Sequence, residues 1–299
     1  FNSGDELLTT NHEYHSCKNT LDYVAKRSGA SVTVAEIPFP LKSEDEVLEH
    51  LLSKATSKTK ILLVDHVTSP TGLIFPIKKI ITEFGKRGID VLVDGAHSAG
   101  MLDLNMDDLK PAYYTGNCHK WMCTPKGSAF LYVRKDKQKD IYPVVTSFSE
   151  PETEHGNRTK FQTRFYWNGT FDISSFLCVG DTIDYMNQIF PGGFTAIRNH
   201  NHNLALKGRA VLAEALEIEI PCPDSMIGSL ASLPLPDMTK DSIPHLFIDD
   251  LQNALFHDFK IEVPVMIWPK PPKRVLRISA QIYNTIEQYN ILASALKSI

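Results

Sequence analysis

The chain has 299 residues, enough for two domains with a sizeable core, and its 42% hydrophobic and 22% charged content excludes a disordered or fibrous protein. With 31 basic against 35 acidic residues it carries a net charge of −4 and shows no basic stripe, which argues against nucleic acid or anionic membrane as a partner. Five cysteines (Cys17, Cys118, Cys123, Cys178, Cys222) at irregular spacing fit buried small residues in a reducing compartment, the cytoplasm, better than a disulfide framework, and no apolar run is long enough to span a bilayer.

The chain opens at Phe1 in mid-element: residues 1–5 read as a turn before a strand at 6–9, so an upstream segment is expected. Ser43 followed by Glu46 is a capping box, and Val47, Leu48, Leu51 and Leu52 repeat behind it at helical spacing. A short apolar run at 60–64 reads as a buried strand ending in Asp65 and His66, and residues 69–72 as a turn. Pro76 then opens a helix through Lys86, closed by Gly88, and a strand at 90–93 ends in Asp94. Strand, helix and strand in this order form a right-handed parallel unit, whose ligand lies beyond the carboxyl ends of the strands. Asp65, His66, Asp94 and His97 all fall there.

Further strands are expected at 127–133, 229–235, 260–265 and 275–279. Helices are expected at 176–189, at 196–216 with a break at Gly208, around 248–256 and from Thr285. The fold class is α/β with a mainly parallel sheet. Residues 1–190 make a large domain, and residues 191–299 a linking helix and a smaller α+β domain.

The chemistry concentrates in V-L-V-D-G-A-H-S-A-G at 91–100 and in Lys120, 26 positions after Asp94. An aspartate at the end of an apolar strand is most often a cap or a solvated turn, and most lysines are solvated. Residues 115–121 (T-G-N-C-H-K-W) are short on charge, however, so a lysine there must pair, titrate low or form an imine. Asp94 and Lys120 together suit pyridoxal phosphate: the carboxylate keeps the pyridine nitrogen protonated and the lysine carries the cofactor as a Schiff base. Asn117 and His119 can donate to a phosphate, although a satisfied core histidine is the plainer reading of His119. His97 can reach the ring's phenolic oxygen, and Tyr14 can stack on the ring or serve as a core aromatic. Arg277, in the apolar run 275–279, needs an anion, either a substrate carboxylate or a structural acid.

Six ordered motifs carry a resemblance: N-H-E-Y-H-S-C at 11–17, D-H-V-T-S-P-T-G at 65–72, V-D-G-A-H-S-A-G at 93–100, G-N-C-H-K-W-M-C-T-P-K-G at 116–127, W-N-G-T at 167–170 and L-R-I-S-A-Q-I-Y-N-T at 276–285. Through most of its length the chain resembles class V aminotransferase-like enzymes of pyridoxal-phosphate fold type I, in the isopenicillin N epimerase-like branch. The resemblance implies Lys120 as the Schiff-base lysine, Asp94 as the pyridinium partner, Tyr14 on the ring face and His97 near the phenolic oxygen. It also implies Asn117 and His119 at the phosphate, Ser69 near the cofactor and Arg277 at the substrate carboxylate. Gly169 and Thr170 match a segment that relatives lend to the neighbouring subunit's phosphate, which implies a homodimer with shared sites. Relatives carry a further phosphate-binding loop upstream. Cysteine desulfurases of the superfamily use a cysteine on a small-domain loop; the stretch 261–270 has none, so a persulfide-forming desulfurase is not expected.

The expected activity starts at the α-carbon of an amino acid, with Lys120 as general base. Epimerisation or C–S cleavage ranks ahead of transamination. Two remote alternatives are a metal-dependent hydrolase built from Asp65, His66, Asp94, His97 and His119, and a non-catalytic scaffold.

Overall fold

A computed structural model of the chain describes residues 1–147, 156–238 and 248–299. Strand β1 (Glu6–Thr10) is followed by α1 (His15–Ser28), β2 (Ser31–Ala35), α2 (Glu44–Lys54), β3 (Thr59–Asp65), α3 (Ile77–Lys86) and β4 (Asp90–Asp94). A short α4 (Met106–Leu109) leads into β5 (Tyr113–Asn117) and β6 (Ala129–Val133). These six strands form one sheet in the order β2-β1-β3-β4-β5-β6, parallel throughout except for β6, which runs back along β5. The expected β3–α3–β4 unit is present, and β3 and β4 pair in register from Ile61↔Asp90 to Asp65↔Asp94.

Helices on both faces explain why the central strands are apolar on both sides. Leu62, Val64, Val91 and Val93 join Val47, Leu51, Ile80 and Phe84 in the main core. On the other face Leu7 and Leu63 pack with Leu21 and Ala25 of α1. The Ser43 backbone donates to Glu46 at 3.2 Å, as the capping box requires, and the first turn of α2 holds three acidic residues facing its free N–H groups.

After α5 (Lys160–Tyr166) and α6 (Ser174–Ile189), α7 (Gly193–Ala215) crosses to a second, antiparallel sheet of β7 (Leu230–Pro234), β9 (Arg274–Ser279) and β8 (Val265–Ile267), with β9 central. Helices α8 (Asp250–Phe259) and α9 (Ile286–Ser298) complete it. Apolar residues of both sheets, among them Val93 and Leu276, belong to one continuous core.

Two expectations are corrected. Helix α7 runs unbroken through Gly208, whose missing side chain admits α9: a Cβ there would lie 2.9 Å from the Tyr289 ring. The run 260–265 is not a strand, because Lys260 ends α8 in the left-handed conformation (φ 59°) and pairing begins only at Val265. Several elements had not been anticipated, among them α1, β2, α4, β5 and α5. Helix α1 hides its apolar stripe among lysines and polar residues, while β2 and β5 are short and polar at their ends.

Candidate active site

Parallel strands place their last residues along one edge, and that edge collects the candidate chemistry. Asp65 and Asp94 end β3 and β4 directly opposite each other, and Glu13 lies just past β1. All three carboxyl groups are buried. Asp94 Oδ1 accepts from the Ala96 backbone N–H at 2.8 Å, which fixes the carboxylate plane, and Oδ2 faces the Cys17 thiol at 3.4 Å. Asp94 has no ion pair among the described residues, so a buried carboxylate stands ready for a cationic N–H donor.

Lys120 lies in the loop after β5, exposed, with Nζ 3.4 Å from His97 Nε2. Partial desolvation lowers its pKa, opposed by the charge of Asp94, while Arg277 adds to the lowering. Burial, with Lys120 and Arg277 nearby, pushes His97 down to about 3, so its ring is neutral. The Trp121 indole N–H donates to His97 Nδ1 at 3.2 Å, which leaves the ring's proton on Nε2, turned toward Lys120. Trp121 sets this tautomer, a role its place in the H-K-W motif had not suggested.

Arg277 reaches across from β9. One guanidinium nitrogen donates to the Ser69 carbonyl, with Ser69 Oγ at 3.4 Å, and Nε has no partner. Burial disfavours its charge, and no acid pairs with it among the described residues. A planar fork held in this state is a receptor for a carboxylate. The turn carrying Ser69 is held on its other side by Ser232 of β7, whose hydroxyl donates to the Pro70 carbonyl at 2.9 Å. Tyr14, 50% exposed, shares a cavity of about 590 Å³ with Ser69, Glu13 and Trp268.

Asn117 closes β5 opposite Ala129. His119 Nδ1 is tied to the Ser128 carbonyl at 2.9 Å, so its Nε2 grips a phosphate oxygen only when the ring carries both protons. Gly169 (φ 106°) and Thr170 lie between α5 and α6, and no hydrogen bond or ion pair links them to the Asp94 cluster. The structure therefore brings together Ser69, Asp94, His97, Lys120 and Arg277, with Tyr14 alongside.

The five residues of the hydrolase alternative do not converge on one point. His66 Nδ1 is bound to the Tyr114 phenol at 2.7 Å in the core, and His119 points to Ser128. The thiols also differ from expectation: Cys118 and Cys222 are buried, but Cys17 and Cys178 are half-buried and Cys123 is exposed. Glu13 and Cys17 were visible only as part of the N-H-E-Y-H-S-C motif. Their one-turn spacing across the start of α1, which turns both toward Asp94, was the available signal.

This mainly parallel α/β sheet with an antiparallel C-terminal sheet is the architecture of the fold type I enzymes. The chain belongs to the aminotransferase class-V family, whose description it matches over residues 1–292. It is 31% identical over 316 residues to a probable chloroplastic L-cysteine desulfhydrase of Arabidopsis thaliana, covering 100% of this chain and 64% of that protein. The chain thus spans somewhat under two thirds of the length of that relative. It is also 30% identical over 305 residues to the isopenicillin N epimerase of Streptomyces clavuligerus, covering 98% of this chain and 74% of that one. The fold is shared with the apo cysteine desulfurase of Thermococcus onnurineus NA1 (TM-score 0.77, 22% identity, 100% of this chain and 73% of that chain). It is shared equally with the cystine C–S lyase C-DES in complex with cysteine persulfide (TM-score 0.76, 20% identity, 100% and 76%).

Proposed function

We propose that this chain forms the catalytic body of a pyridoxal-phosphate enzyme acting at the α-carbon of an amino acid, with C–S cleavage of a cysteine-type substrate as the reaction. The observation that carries this reading is the Arg277 guanidinium, without an acidic partner among the described residues, beside Lys120, His97 and Asp94: an anion receptor next to an amine and a cation receptor. The residues fit the cofactor. Asp94, buried and without a cationic partner, would hold the protonated ring nitrogen; Lys120 would attach the cofactor; and His97 Nε2–H would donate to the phenolic oxygen. Tyr14 would cover a ring face, with Ser69 close by, and Asn117 and His119 would meet the phosphate.

Bound there, pyridoxal phosphate supplies an electron sink for negative charge at the substrate's α-carbon. Arg277 holds the substrate carboxylate in a planar, two-point grip. Lys120, whose lowered proton affinity enlarges its neutral fraction, takes the α-proton at Nζ. His97 stays uncharged and so does not compete for that proton.

Relatives named L-cysteine desulfhydrase favour the lyase. Those named isopenicillin N epimerase favour the second reading, epimerisation, and transamination has less support. The same reading makes the protein a homodimer with shared sites. Half of the exposed large apolar side chains among the described residues lie in the stretch from Tyr142 to Ile189, with Gly169 and Thr170 in their midst, and this exposure supports an interface there. Residues 1–190 then act as the cofactor domain and 191–299 as the small domain. Free thiols favour a cytoplasmic location, and no helix among the described residues is long and apolar enough to cross a membrane.

The test is to supply pyridoxal phosphate and L-cysteine and measure sulfide. Sulfide release that is lost in Lys120→Ala and weakened in Arg277→Ala is expected. Exchange of the α-proton without sulfide would instead support epimerisation, and a protein that takes up no cofactor would move the scaffold reading to the front.

A further inference from the structure

Behind Asp94 the structure holds two carboxyl groups for which the proposed chemistry has no use. Glu13 and Asp65 are buried beside it, and among the described residues neither Glu13 oxygen nor Asp65 Oδ2 has a well-aligned hydrogen bond, although the Tyr14 backbone N–H and the Thr9 hydroxyl lie against Glu13. The sheet forces this arrangement. Asp65 and Asp94 are register partners on adjacent parallel strands, and β1, which delivers Glu13, pairs with β3 on its other side. No ion pair neutralises either group among the described residues. The titratable groups facing the cluster are the Cys17 thiol of α1 and, across the site, the Lys120 amine, whose charge is felt by both Asp94 and Asp65.

Three bare carboxylates in one dry pocket repel one another and lack water to stabilise them, so protons must be retained. The orphan oxygens also lack well-aligned hydrogen bonds among the described residues. A proton held between Glu13 and Asp65 answers both needs, turning one oxygen into a donor and the facing one into its acceptor. We propose that Glu13 and Asp65 form a proton-holding carboxyl pair that acts as a positioning element for Asp94, keeping its proton while Asp94 stands alone and releasing it when a cationic nitrogen is set against Asp94.

The release follows from electrostatics. Burial pushes Glu13 up to about 8, and the second cause is the negative charge of Asp94; Asp65 is raised by burial, then by Glu13 and Asp94. Neutralising Asp94 removes that repulsion, the carboxyl O–H bond breaks, and the proton passes to water. The pair then carries one more negative charge behind Asp94, which strengthens the hold on the cation. This role rests on the reading of Asp94 as the partner of a ring nitrogen, but its test does not need the cofactor.

In the unliganded full chain, infrared spectroscopy should show the carbonyl stretch of a buried carboxylic acid at pH 7, shifted in D2O and titrating near pH 8. Glu13→Gln and Asp65→Asn should each diminish the band. Asp94→Asn mimics neutralisation and should lower its titration midpoint by about one pH unit or more. Above about pH 8, where Glu13 carries its charge, Glu13→Gln should also raise the rate of Cys17 alkylation, because one of the charges that, with burial, hold that thiol up to about 12 is gone. Calorimetry with pyridoxal phosphate in two buffers of different ionisation heat should then show proton release by the wild-type protein and none by Glu13→Gln.

Absence of the band from the wild-type protein overturns the pair. A midpoint unmoved in Asp94→Asn overturns the coupling, whether or not cofactor binds. If the band and its shift appear but no cofactor binds, the functional reading fails while the pair stands.

Discussion

Alanine at Gly100 should displace Lys120 without touching any reacting group. Gly100 has φ 85°, and a Cβ there would lie 2.5 Å from the Trp121 carbonyl carbon and 2.6 Å from the Met122 nitrogen. Both neighbours are backbone, so no side chain can rotate away. Restoring ordinary contact means parting the two segments by about 1 Å, and overpacking of this kind costs about 1–3 kcal/mol. The left-handed backbone adds about 1–3 kcal/mol for a residue with a side chain. Gly100→Ala should therefore lose about 2–6 kcal/mol in urea unfolding. A shift of about 1 Å at the neighbouring Lys120 should slow its capture of cofactor, read as borohydride-fixed product, by up to ~100-fold. Gly85→Ala is the control: it sits in α3 with nothing within 4 Å of the new Cβ, and should gain up to about 1 kcal/mol of stability. If Gly100→Ala unfolds like the parent and captures cofactor at the same rate, the close approach of these segments does not position Lys120.

Three further outcomes are expected. Arg277→Lys should keep the charge but lose the planar grip, raising the KM for amino acids by about 10-fold or more, whereas an unchanged KM would place the carboxylate elsewhere. Arg274 pairs with Asp249 at 2.8 Å, and Asp249 is only 1% exposed, so Arg274→Met should cost about 3–5 kcal/mol by leaving that carboxylate uncompensated; a urea midpoint within error of the parent would show the charge relieved in another way. Burial holds His12 and His66 at about 4, below their ordinary value of 6.5, so the unfolded chain binds more protons in that window and stability falls as pH drops from 6.5 toward 4. Each should contribute about 2 kcal/mol of loss by pH 5. The raised Glu13 acts with the opposite sign, losing stability as pH rises toward 8, so the check is a flatter acid limb in His12→Gln than in the parent.

What the sequence made legible was periodic or local. The β3–α3–β4 unit followed from an apolar run, a proline-led helix and a second run, and the edge holding Asp65 and Asp94 followed from parallel topology. Arg277 stood out because an arginine in an apolar strand needs a partner. Lost to view was everything that depends on which distant groups meet. Nothing in V-L-R-I-S says that Arg277 lies against the Ser69 carbonyl, and nothing in N-H-E-Y-H-S-C says that Glu13 lacks a well-aligned hydrogen bond among the described residues. Gly208 misled for the same reason. A glycine in a helix suggests weakness until the ring of Tyr289 is seen against it, where the absent side chain is what α9 needs.

The turn at 69–72 is fastened from two sides of the smaller sheet, by Arg277 to Ser69 and by Ser232 to Pro70, and a Cβ on Gly72 would stand 3.0 Å from Leu230. Its length is therefore fixed as firmly as its composition. Most surface turns tolerate added residues, but one more here would break both fastenings and withdraw the peptide that holds the guanidinium in place. Divergence at this corner of the fold can proceed by exchanging side chains, not by lengthening the chain, and new substrate preferences must arise in the walls around it.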